Sequence, residues 1–331
     1  MKKIYYITAV FATLFLVGCG DGIDLPGVNV ETDLNKIPLP DNNVNLEQVE
    51  LKPSTEPMLH EGLHTEEDFQ RIRDKKAAGE EPWVSAYQLL VESQFSQKTA
   101  DTYPTEWIKR GVSGDENYMN AARGATIAYQ QALRWKIEQD DEYAAKAVEN
   151  LNKWVQTCVG VTGNTNLSLA AGLYGYEFAI AGELLRDYGG WDRADFAAFQ
   201  NWLLKVFYPA NDDFLKRHHD TNALHYWANW CLCNIAAKMA IGIVTDRRDI
   251  YNEGIAHLQT GDTNGRLRRA IYHDYAPDYN FAQWQESGRD QGHTLMCVGL
   301  MGIICQLAWS QGDDFFAYDD NLFLRACEYA A

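Results

Sequence analysis

Positive charge is scarce in this chain of 331 residues: 29 Lys and Arg stand against 46 Asp and Glu, a formal net charge of −17. That excludes nucleic acid as a partner, because phosphate binding needs a basic stripe. An anionic ligand of another kind needs only a locally cationic cleft, for which Arg266, Arg268, Arg269 and Arg289 are available. Long polar/apolar alternation is missing too, so no substantial sheet is expected. The N-terminal apolar run, Ile4 to Val17, is too short to cross a bilayer. Six cysteines follow Cys19, and Cys231 and Cys233 lack zinc partners at suitable spacing. Most of the six fall in apolar runs where a thiol behaves as a small hydrophobe, with an interhelical disulfide left open for an exported chain.

What is present describes a large helical core behind a leader. Met1-Lys-Lys and the apolar run end in Leu16-Val17-Gly18-Cys19, which is similar to a bacterial lipobox. Residues 1–19 thus read as a lipoprotein signal, with Cys19 as the lipid-modified anchor of an exported protein held at the cell envelope. Residues 20–61, rich in Pro, Asn, Asp and Val, read as a spacer. With 46% hydrophobic and 12% aromatic residues, the remainder can bury a sizeable core. Thr65-Glu-Glu-Asp68 spells a capping box, and stripes such as Ala121, Ala125, Ala128, Ala132 follow the helical period. Helices are predicted over 83–93, 118–139, 141–158, 167–188, 193–207, 222–244, 248–259, 291–310 and 321–329. The fold class is all-α: an incomplete (α/α) toroid of antiparallel helix hairpins over 62–331, a local pattern shared with open solenoids.

Two stretches concentrate chemistry. In Thr221-Asn-Ala-Leu-His-Tyr-Trp-Ala-Asn-Trp230, helical spacing would put Asn222, His225 and Asn229 on one face, with Asp220 or Thr221 as N-cap. In Gln283-Trp-Gln-Glu-Ser-Gly-Arg-Asp-Gln-Gly-His293, the same spacing relates Glu286, Arg289 and His293. If the stretches meet, one mouth holds imidazoles, a guanidinium, a carboxylate and amide donors, an inventory suited to an anionic substrate. Trp227, Trp230 and Trp284 offer faces for sugar stacking, and Gln285, Glu286, Asn229 and His219 offer polar contacts. His218-His219-Asp220 has metal-ligand residue types, but adjacent histidines splay apart in most backbones; neither metal nor cofactor is expected.

Ala121-Ala122 through Tyr129, Asp141-Glu-Tyr-Ala-Ala-Lys-Ala147 and Trp154 resemble the opening helices of the alginate lyase superfamily of polysaccharide lyases. Asn222 to Trp230 is similar to its Asn-Asn-His-x-x-Trp element, and Arg289 to His293 to its later Arg and Tyr-His element. Here the histidine stands three residues after Asn222, and Gly292 precedes His293 where a tyrosine is expected. The resemblance implies a toroid that cleaves a uronic-acid polymer, alginate or glucuronan, by β-elimination. Asn222, His225, Arg289 and His293 are then catalytic, with a proton-donating tyrosine drawn from Tyr226, Tyr272, Tyr275 and Tyr279, of which Tyr279 is taken. The competing readings are a toroidal glycoside hydrolase, which needs opposed carboxylates, and a non-catalytic glycan-binding lipoprotein.

Overall fold

The computed structural model describes residues 54–331; the signal, lipobox and spacer as far as residue 53 lie outside the described residues. Thr65 opens the first helix, α1 (Glu66–Ala77), through the expected reciprocal cap: Thr65 Oγ1 accepts from Asp68 N at 3.2 Å and Asp68 Oδ2 from Thr65 N at 3.0 Å. There follow α2 (Trp83–Glu92), β1 (Trp107–Arg110), α3 (Tyr118–Glu138), α4 (Asp141–Thr157), β2 (Gly160–Gly163) and α5 (Leu167–Leu184). Next come α6 (Arg193–Val206), α7 (Tyr208–Arg217), α8 (Ala228–Val244) and α9 (Arg248–Thr260). The last elements are α10 (Leu267–Ala270), β3 (Ile271–Asp274), β4 (Ala282–Trp284), α11 (Gln291–Ser310) and α12 (Tyr318–Ala330). Among the described residues two small sheets form: β1 pairs parallel with β2, and β3 pairs antiparallel with β4.

Helices α3, α5, α8 and α11 are inner staves, each returned by a helix on the outside. Side-chain contacts fix their polarity. Near the N-terminal ends Tyr118 stacks on Tyr174, Asn234 Nδ2 donates to Ser168 O at 3.2 Å, and Asn229 meets Met296. At the other end Trp135 packs edge-on to Tyr188, and Arg186 donates to the carbonyls of Ile243 and Val244. The inner helices are therefore parallel, and their N-termini share one rim. This is an (α/α) toroid. Helix α8 is mostly apolar and buried along nearly its whole length, and its buried Lys238 is paired with Asp212 and Glu253. It approaches α5 so closely that a Cβ on Gly172 would stand 2.5 Å from Cys233 Sγ, so only glycine fits.

Two expectations need correction. The helix predicted from Asn222 begins at Ala228, and α7 was not foreseen. The spacer does not extend to residue 61: Ser54 to His64 straps across the C-terminal ends of the inner helices. There Gln311 bonds Leu59 N and O and Glu61 O, Arg248 bonds the carbonyls of Glu56 and Pro57, and Met58 and Leu63 are buried. The six cysteines from Cys158 onward are all free, five of them buried.

Candidate active site

The chain leaves α7 through three consecutive left-handed residues, His218, His219 and Asp220, with φ of 48°, 52° and 59°. Each such non-glycine costs about 1 kcal/mol or more and persists only where surroundings enforce it. Enforcement is visible: Ser168 Oγ at the start of α5 lies 3.0 Å from His219 Nε2, and His218 is buried beside Cys231 and stacked on Phe214. Burial pushes the His218 imidazole down to about 4 and also lowers that of His219, the latter against the pull of Asp213. The two histidines thus face separate partners.

Asn222 then closes a turn rather than a helical face. Its Oδ1 accepts from Leu224 N at 2.8 Å and its carbonyl from His225 N at 2.9 Å. Buried Asn264 fixes the next residues by donating to the carbonyls of Leu224 and Tyr226. Tyr226 is wedged among His219, His225 and Trp230, its ring 4.8 Å from that of His225 and 4.7 Å from that of Trp230.

The second stretch reaches this turn directly. Gln285 Oε1 accepts from Ala228 N at 2.9 Å and Glu286 Oε1 from Asn229 N at 3.1 Å, so the 3-10 turn Gln285–Gly288 caps the start of α8. Arg289 follows, its guanidinium 5.6 Å from the Trp227 ring and 3.6 Å from Glu286 Oε2. Asp290 caps α11 by accepting from His293 N at 2.8 Å and holds the His293 ring Nδ1 at 2.7 Å. Burial raises the Glu286 carboxyl, with the Asn229 N–H, Arg289 and His293 opposing. Burial also works on Asp290, but the bonds from His293 outweigh it and hold that carboxyl low.

The structure therefore joins Asn222, His225, Trp227, Trp230, Gln285, Arg289, His293 and His219 around one rim. It does not supply the expected faces of Trp284, which is fully buried, donates Nε1 to Ala326 O and packs on Phe323. Glu286 is equally inaccessible and Asn229 nearly so, so neither can meet a sugar. Tyr279, 63% exposed, stands in the loop between β3 and β4. Ser168, Asn264 and Tyr226 are the residues the spacing did not single out as a set; only Tyr226 had a signal, as neighbour of His225. A separate cavity of about 230 Å³, lined by Tyr103, Asn120 and Arg123, lies along the first turns of α3.

A family model described as alginate lyase matches residues 72–331. The chain belongs to the alginate lyase family. It is a polysaccharide lyase. Solved structures with the same fold include alginate lyase A1-III from Sphingomonas species A1, at 13% identity and TM-score 0.57 over 82% of this chain and 78% of that one. A variant of alginate lyase A1-III complexed with tetrasaccharide matches at 13% identity and TM-score 0.63, over 82% and 77%. An alginate lyase from Bacteroides ovatus matches at 14% identity and TM-score 0.54, over 81% and 82%. Comparison with curated proteins returns no match.

Proposed function

We propose that this lyase cleaves a polyuronate, polymannuronate or glucuronan, at the rim where the 221–227 turn meets Arg289. The supporting observation is the clasp of Gln285 and Glu286 on the start of α8, which brings a guanidinium over Trp227, two residues from His225. β-Elimination removes the C5 proton of a uronate, forms the C4–C5 double bond and breaks the bond from C4 to the glycosidic oxygen. The carboxylate must be neutralised so that it can carry charge as an enediolate. Asn222 offers its amide and Arg289 a fixed cation. His225 is the base, since a neutral imidazole nitrogen can accept a proton. Tyr226, ring to ring with His225, replaces Tyr279 as the acid that protonates the leaving oxygen. Trp227 supplies the sugar-facing ring. His293, held by Asp290, flanks the cation. A hydrolase would need two carboxylates across the sugar, and the carboxylates of this rim, Glu286 and Asp290, come from one short stretch with Glu286 buried. We further place the protein at the cell envelope, anchored through Cys19.

The test is incubation with polymannuronate, polyguluronate, glucuronan and neutral glycans, following ultraviolet absorbance and reducing ends together. Absorbance rising with reducing ends on a polyuronate is expected; reducing ends alone would make the protein a hydrolase. His225→Ala and Arg289→Ala should each lower turnover about 100-fold or more with the helical signal intact. Near-normal rates in both would remove this site.

A further inference from the structure

Four arginines are buried among the described residues, and three have carboxylates: Arg134 binds Glu138, Arg186 binds Glu183 at 2.8 Å, and Arg325 binds Asp274. The fourth, Arg110, is 6% exposed and has none. Its Nη1 is enclosed with no hydrogen-bond partner, and no described side chain forms an ion pair with it. Of the acids in the following loop, Asp115 pairs with Lys109 and Glu116 turns its Oε1 to Gly111 N at 2.6 Å. A guanidinium removed from water without a carboxylate or other acceptor is costly to folding.

Its location supplies a reason. Arg110 ends β1, paired with Gly163 at the end of β2, just before α5 begins. The guanidinium lies 4.7 Å over the Tyr118 ring at the first residue of α3, and Tyr118 in turn stacks on Tyr174 of α5. Arg110 thus stands on the same rim as the candidate active site, at the α3–α5 seam, while Arg289 stands at the α8–α11 seam. Between them runs a continuous line: the start of α5, then Ser168, His219, Tyr226 and Trp227.

We infer that Arg110 is a second carboxylate-binding residue, which takes the uronate of a sugar elsewhere along the same bound chain while Arg289 holds the sugar that reacts. This rests on the polyuronate reading above. A polymer with one carboxylate per sugar is the ligand that can satisfy two fixed guanidinium groups on one rim. The aromatic platform under Arg110 orients the planar group without neutralising it. Recognition at two seams makes chain length a determinant of affinity, and a neutral glycan would leave both cations unanswered.

The experiment compares steady-state kinetics of the full chain and of Arg110→Gln and Arg110→Lys on a hexauronate, a trisaccharide and a carboxyl-reduced hexamer, with melting temperatures alongside. Arg110→Gln is expected to raise KM for the hexauronate about tenfold or more, the loss of one charged hydrogen-bonding partner, with a smaller change in kcat. The trisaccharide should respond less, and Arg110→Lys should recover part of the affinity. Since no described carboxylate pairs with the charge and its visible partner is the Tyr118 ring, the melting temperature of Arg110→Gln should stay close to that of the parent. An unaltered KM for the hexauronate would overturn the assignment, as would a fall in melting temperature that Arg110→Lys restores without restoring KM. If the parent cleaves no polyuronate at all, the functional reading falls and this subsite with it; cleavage by the parent with an indifferent Arg110→Gln condemns the subsite alone.

Discussion

Glu177, half-buried on α5, forms no hydrogen bond or ion pair with any described residue, and burial pushes its carboxyl up to about 8. Its charge is felt nearby, since it contributes to raising the hydroxyls of Tyr129 and Tyr176. A carboxyl whose folded pKa lies above its unfolded one favours folding below the unfolded value, near 4.5, and loses that contribution as pH rises through the folded one. The melting temperature is therefore expected to decline between about pH 5 and 9, and Glu177→Gln should flatten the decline; parallel profiles for the two proteins would refute it. The sequence announced Asn222, His225 and Arg289 because polar residues crowded against apolar runs are conspicuous. It could not distinguish the half-buried Trp227 from the interred Trp284, since both are tryptophans beside polar neighbours and only packing separates them. Nor did it signal Arg110, an arginine ending a strand of four residues; its meaning lies in the carboxylate it does not have.

Helix α8 begins six residues later than its apolar pattern suggested. The Asn222 side chain bonds the backbone two residues on and stabilises a turn in competition with the first helical bonds. The start is instead set from 57 residues away by Gln285 and Glu286, a long-range contact that no local pattern reports. Most other helices were legible within a residue or two, because their caps and stripes are local: Asp140 caps α4 through Glu142 N, and α11 spans the predicted 291–310. The clasp makes a specific demand. Gln285→Ala should cost about 1 kcal/mol of stability and lower turnover by loosening the turn that carries His225. Glu286→Gln, which retains an acceptor for Asn229 N, should melt close to the parent, whereas Glu286→Ala should lose about 1–3 kcal/mol. Thermal melts and rates on a polyuronate check all three, and a Gln285→Ala protein with unaltered rate and melting temperature would show the clasp to be idle.

The toroid as a whole has a front and a back. The strap from Ser54 to His64 crosses the C-terminal ends of the inner helices, on the side opposite the rim that carries Arg289. The anchorage at Cys19 proposed above has its own test. Cys19→Ser is expected to move the protein from the membrane fraction to the soluble one with its rate on polymer retained; continued sedimentation with membranes would reject the anchor. The toroid was readable from helix lengths and short loops, but the closeness of its two chemical stretches was not, because ring closure is decided by contacts such as Gly172 against Cys233. The shared direction of the four staves reconciles a polyanion with a chain of net charge −17. Each α-helix presents roughly half a positive elementary charge at its N-terminus. Two of these ends, those of α8 and α11, are occupied by Glu286 and Asp290. The asparagines that open α3 and α5 leave theirs without a side-chain cap, on either side of Arg110. Backbone dipoles thus lend an otherwise acidic body a collar of attraction at one opening, which no tally of lysines and arginines would disclose.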